Sequence, residues 1–203
     1  GHLITDFSYG YANDFFNGLA AVNKHKKWGF IDTHGQLVIP LQFDGVWLFQ
    51  PDGCVVFLDG RYGLIDREGA WKIENQFHAL SDFAFGYGIA TLKSGILFKR
   101  EHRILIDVNG KKIIDLPKQW AWFKPVSDNL LVVGTISNYP GIRMYGFMNF
   151  QGEIITPPQF YTDSDSLFDT NKWSEGLLAV RDKNGLTGFV NEQGVLVIPP
   201  RFQ

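Results

Sequence analysis

The chain has 203 residues and carries 19 basic against 21 acidic side chains, for a formal net charge of −2. That balance leaves no basic run of the kind that tracks a phosphate backbone, so nucleic acid is excluded as the expected partner. No apolar stretch approaches the length of a membrane-spanning helix, and aromatics at 15% are ample for the core of a single domain.

Taken in chain order, the first apolar segments are Gly18-Leu-Ala-Ala-Val22, Trp28-Gly-Phe-Ile-Asp-Thr-His-Gly35 and Leu37-Val-Ile-Pro-Leu-Gln-Phe43. Each is short, rich in β-branched and aromatic residues and bounded by Gly, Pro, Asn or Asp, which predicts strands. The middle segment recurs as Tyr62-Gly-Leu-Ile-Asp-Arg-Glu-Gly69, Arg103-Ile-Leu-Ile-Asp-Val-Asn-Gly110, Tyr145-Gly-Phe-Met-Asn-Phe-Gln-Gly152 and Thr187-Gly-Phe-Val-Asn-Glu-Gln-Gly194. The closing glycines, at 35, 69, 110, 152 and 194, are spaced by 34, 41, 42 and 42 residues. A period in this range marks a repeat architecture.

Asp or Asn always stands three residues before the closing Gly. The first bonds its own backbone and the second accepts a positive φ, so each copy predicts a hairpin turn. Gly29, Gly63, Gly146 and Gly188 fall inside a strand, where glycine weakens pairing unless an aromatic or backbone must come close. Pro40, Pro117, Pro157, Pro158, Pro199 and Pro200 are expected to end the next strand's ladder or mark an edge. A fourth strand is expected between units, as at Gly45-Val-Trp-Leu-Phe49 and Asp82-Phe-Ala-Phe85. The five units run over about 16–43, 49–77, 86–117, 127–160 and 173–202 of one all-β domain spanning 1–203.

Phe7 precedes Gly18 by 11 residues, as Phe77 precedes Gly88, so Phe7 occupies the register of a unit's closing Phe. The expected fold is therefore a closed five-bladed β-propeller in which residues 3–15 complete the last unit. The alternative is an open array of stacked β-hairpins, whose exposed edges would need capping.

The combination of a Gly-Leu-Ala-like strand, Trp-Gly-Phe-Ile-Asp, Gly and Ile-Pro-x-x-Phe resembles the WG-repeat, or KWG-repeat, family of bacterial proteins. Only the first copy holds the full Lys27-Trp28-Gly29 triplet, and the third has Arg103-Ile104 in place of aromatic-Gly. The resemblance implies a non-catalytic repeat module.

Positive signals for chemistry are missing. His2, His25, His34, His78 and His102 form no close pair of the metal-binding kind. Asp163-Ser-Asp165-Ser with Asp169 lacks the Gly and closing Glu of a calcium loop and reads as a polar loop. Cys54, the single cysteine, reads as a small buried hydrophobe. No enzyme activity, metal or cofactor is expected. Trp47, Trp120, Trp122, Tyr139, Arg143 and Trp173 lie between the repeated segments, where the repeat does not dictate them. Aromatics and Arg dominate binding hot spots, so these six are the candidate partner contacts. The fourth unit's long Gly134–Met144 connection points to the same face. The expected function is protein binding by a cytoplasmic scaffold, with an immunity module as one form of it. A lectin-like glycan binder is the alternative, and an enzyme working at a central opening a third reading.

Overall fold

A computed structural model describes residues 9–94, 100–136, 143–162 and 173–203. The fold is all-β, with five four-stranded antiparallel sheets that follow one another along the chain. The first contains β1 (Tyr11–Ala12), β2 (Leu19–Lys24), β3 (Lys27–Asp32) and β4 (Leu37–Phe43). The second contains β5 (Gly45–Val46), β6 (Cys54–Leu58), β7 (Arg61–Ile65) and β8 (Trp71–Phe77). The third contains β9 (Ala79–Leu80), β10 (Tyr87–Ser94), β11 (Arg100–Asp107) and β12 (Lys112–Asp115). The fourth contains β13 (Trp122–Pro125), β14 (Leu130–Ile136), β15 (Arg143–Asn149) and β16 (Ile154–Thr162). The fifth contains β17 (Trp173–Ser174), β18 (Leu177–Arg181), β19 (Thr187–Asn191) and β20 (Leu196–Phe202). Each sheet is the four-stranded meander of a propeller blade.

The chain divides into two compact parts, one of residues 1–83, 90–101 and 106–111 and the other of 84–89, 102–105 and 112–203. Of residues 3–15, expected to complete the last unit, the described part does otherwise. Tyr11 and Ala12 pair with Asn23 and Val22 of β2, inside the first sheet. The tight turn Asn17-Gly18, both at positive φ, folds this segment back on its nearest neighbour. In the fifth sheet the edge strand beside β18 is its own Trp173–Ser174.

The recurrent turn forms as its residues dictate. Asp32 Oδ1 accepts the amides of His34 and Gln36, both at 2.9 Å, and Gly35 closes the turn at φ 79. Asn149 Oδ1 does the same with Gln151 and Glu153 at 3.0 and 2.9 Å, so a carbonyl oxygen suffices and the charge is dispensable. A further copy that the repeat did not reveal joins β18 to β19. There Asp182 Oδ1 accepts Asn184 N at 2.8 Å and Leu186 N at 2.9 Å.

What comes close to the strand glycines is backbone. A Cβ built on Gly29 would stand 2.4 Å from Ile39 O, and one on Gly146 would stand 2.3 Å from Thr156 O. The cause is a bulge: Phe30 pairs with Ile39 but Trp28 pairs with Phe43, so the outer strand carries extra residues opposite Gly29. Pro40, Pro157, Pro158, Pro199 and Pro200 sit in that bulge, inside β4, β16 and β20. This corrects the expectation that they end the strand, while the edge position holds because these are the last strands of their sheets. Pro117 does follow its strand, β12.

The sheets are apolar on both faces. Leu19, Ala20, Ala21 and Val22 are all buried, so β2 is covered from two sides. Along the chain the covering follows one rule: the hairpin glycine of a unit sits over the residue four places beyond the hairpin glycine of the unit before. Gly69 lies on Ile39, Gly110 on Ile73 and Gly152 on Ile114, with built Cβ contacts of 3.1, 3.3 and 2.9 Å. In the last pair Thr156 Oγ1 donates to Gly194 O at 2.6 Å. The closing Phe lies on the same face. Phe43, Phe77 and Phe160 are 1, 4 and 1% exposed, whereas Phe202 is 45% exposed.

Candidate functional site

The six residues singled out by sequence separate into different environments. Tyr139 lies outside the described residues. Arg143 is exposed at the start of β15, paired with Ile136 and Thr162. Trp120 and Trp122 are half-buried and pack on apolar cores of the fourth unit's two faces. Trp122 has a strong structural reason to be aromatic: it pairs across the sheet with Gly134, where a Cβ would stand 2.0 Å from the indole. The Trp120 backbone oxygen accepts the Arg103 guanidinium, and its ring borders the core that contains Leu131 and Met148. Trp47 is 40% exposed and meets Tyr62 edge-on at 5.4 Å.

Trp173 alone of the six lines a described cavity on the second compact part. This space, about 530 Å³, is bounded by Phe85, Val126, Ser127, Asp128, Asn129, Trp173, Glu192 and Gln193. Its volume falls in the range of small-ligand and side-chain pockets. Three turns build it. In the first three sheets the opening hairpin has a two-residue loop, closed by bonds such as Phe16 N to Leu19 O at 2.9 Å and Ala84 N to Tyr87 O at 2.9 Å. In the fourth sheet Val126 N bonds Leu130 O at 3.0 Å, which leaves Ser127, Asp128 and Asn129 in a loop one residue longer. The Trp173 indole is pinned beside it, with Nε1 donating to Val126 O at 3.1 Å.

Glu192 and Gln193 come from the hairpin between β19 and β20, held by Asn191 Oδ1 on Gln193 N at 3.2 Å and Val195 N at 2.9 Å. Phe85 completes the wall from the turn between β9 and β10. Its φ is 54, as Asn17 and Glu175 have φ of 50 and 52 in their own opening turns, and it is 39% exposed. Sequence reading missed Phe85, Asp128, Asn129, Glu192 and Gln193, since each sits in a turn whose local role explains it. The available signal was Asn129 standing where other units have Gly before the strand.

A second concavity, on the first compact part, is lined by Tyr11, Ala12, Asn13, Asp14, Phe15, Phe16 and Leu48. Among the described residues no three His, Cys, Asp or Glu side chains converge as a metal site would require. No helix among them is long and apolar enough to cross a membrane.

Repeated β-meanders with loops gathered into a cavity define a repeat scaffold. The family model of the WG containing repeat matches the chain four times, over residues 1–28, 28–58, 145–162 and 188–203. Among solved structures, the Pan2 WD40 domain of Neurospora crassa is similar over 88% of this chain and 74% of that one, at 9% identity and a TM-score of 0.30. No functionally curated protein matches the chain.

Proposed function

We propose that the protein is a non-catalytic binding scaffold whose partner is another protein, held at the loop ends of the fourth and fifth units. The observation that supports this reading is the cavity beside Trp173. Its indole is fixed by a hydrogen bond to Val126 O, and polar groups from separate turns surround it. A rigid aromatic anchor ringed by polar side chains is the anatomy of an interaction hot spot. A captured toxin domain would make this scaffold an immunity protein.

The test is capture by the immobilised protein, with mass spectrometry of what is retained, using wild type and Glu192→Arg side by side. Glu192 is exposed, so the variant fills the cavity without disturbing the core. A single protein retained by wild type and lost from the variant is the expected outcome. Equal retention by both, or no reproducible partner, overturns the reading.

A further inference from the structure

In three unit pairs the hairpin of one unit overlies the opening turn of the unit before it, and what fills the space between them differs. Over the first unit's turn stands Arg67, the residue after the hairpin Asp66. Its Nη2 donates to Asn17 O at 2.5 Å and lies 3.5 Å from a Cβ built on Gly18. A guanidinium therefore fills that notch. Between the third and fourth units the same hairpin register holds Phe150, which meets Tyr87 edge-on at 4.7 Å and is 8% exposed. An aromatic ring fills that one.

Between the fourth and fifth units the register holds Glu192. The opposing turn is one residue longer and carries Asp128 and Asn129, and the notch is the open cavity of about 530 Å³. Two carboxylates, two amides, a hydroxyl and two aromatic rings line it, with no Lys, Arg or His among the lining residues. At this register the chain's own cation has been replaced by the opposite charge.

We propose that this cavity binds an arginine side chain of the partner, whose guanidinium takes the place that Arg67 takes over the first unit's turn. The assignment rests on the protein-binding reading above and names the partner's contacting group. A planar guanidinium stacks on an indole face and bonds carboxylates in a fork, whereas an ammonium is a strongly hydrated point charge. Trp173 beside Asp128 and Glu192 supplies that combination of surfaces.

The experiment follows the Trp173 indole N–H and the Asp128 and Gln193 amides by nitrogen-15 NMR. The probes are N-acetyl-arginine amide, N-acetyl-lysine amide and N-acetyl-citrulline amide, the last being the uncharged isostere. Saturable shifts with the arginine probe, with a Kd on the order of 1 mM, are expected, about tenfold weaker with the other two. Added salt should weaken binding, since the charges lie near the surface. The double variant Asp128→Asn with Glu192→Gln should bind the arginine probe about tenfold less tightly. Glu192→Arg should abolish the titration by supplying the guanidinium from within.

Citrulline or lysine binding as tightly as arginine overturns the proposal, as does an undiminished double variant. So does cellobiose moving the same signals when the arginine probe does not. Partner capture that depends on the cavity without any arginine response overturns this assignment alone. An arginine response without any captured protein overturns only the protein-binding reading.

Discussion

Asp32 shows how a single side chain links turn geometry to pH. The amides of Gln36 and His34 bond its carboxylate, and the Gln36 bond in particular holds its pKa below the ordinary 3.8. A lowered folded value means that the unfolded chain takes up a proton first as pH falls. Stability from this group is therefore complete above about pH 4 and lost as pH drops through the folded value. Asp32→Asn keeps both acceptor bonds, as Asn149 and Asn191 do in their own turns. Thermal melts between pH 5 and 2.5 should show a shallower acid slope for the variant, and identical slopes would refute the assignment. Cys54 offers a second check. Burial pushes its thiol up to about 12, and Sγ donates to Trp47 O at 3.2 Å. The folded protein should resist maleimide labelling at pH 8, with modification tracking unfolding. Rapid labelling under native conditions would contradict the burial.

At the scale of the element, the strand glycine and the outer-strand bulge are one device. Gly29→Ala places a methyl group 2.4 Å from a backbone oxygen that belongs to the neighbouring strand and cannot swing away. A loss of about 1–3 kcal/mol in urea unfolding is expected, and an unchanged midpoint would show that the bulge yields. The hairpin between β2 and β3 points the opposite way. Its two loop residues, His25 and Lys26, have φ of 52 and 66 with no glycine to relieve them. Replacing the pair by Asn-Gly should stabilise the protein by about 1 kcal/mol, raising Tm by roughly 2–4 °C. A fall in Tm would mean that these side chains make contacts the turn depends on.

Across the whole molecule, equal sequence positions carry unequal energies because their neighbours differ. Phe43 and Phe202 close their units identically in sequence, yet one is 1% and the other 45% exposed. Phe43→Ala should cost about 3–5 kcal/mol, and Phe202→Ala only about 1 kcal/mol, measured by urea denaturation. Equal losses would show that the last unit's face is covered in solution as the others are. The same logic governs the cavity. Arg67, Phe150 and Glu192 share a register, but only the third faces an opening turn lengthened to Ser127-Asp128-Asn129.

Much of the fold was legible because its causes are local. Asp or Asn with Gly at a fixed spacing makes a turn wherever it occurs, and short β-branched and aromatic runs between such turns make strands. By these local rules the sequence determined five units, their hairpins, the need for close approach at Gly29 and its counterparts, and the burial of Cys54. Tertiary structure decided what depends on partners distant in the chain. It placed the prolines in a bulge and Tyr11–Ala12 on β2. It also drew Trp120 and Trp122 into core packing, and gathered Phe85, Asp128, Trp173 and Glu192 around one cavity. Those last four come from three different units, Phe85, Asp128 and Glu192 from turns and Trp173 from the short strand β17. A turn's sequence specifies its own backbone but not which turn the stacking of sheets will bring beside it, so no spacing along the chain announced the site.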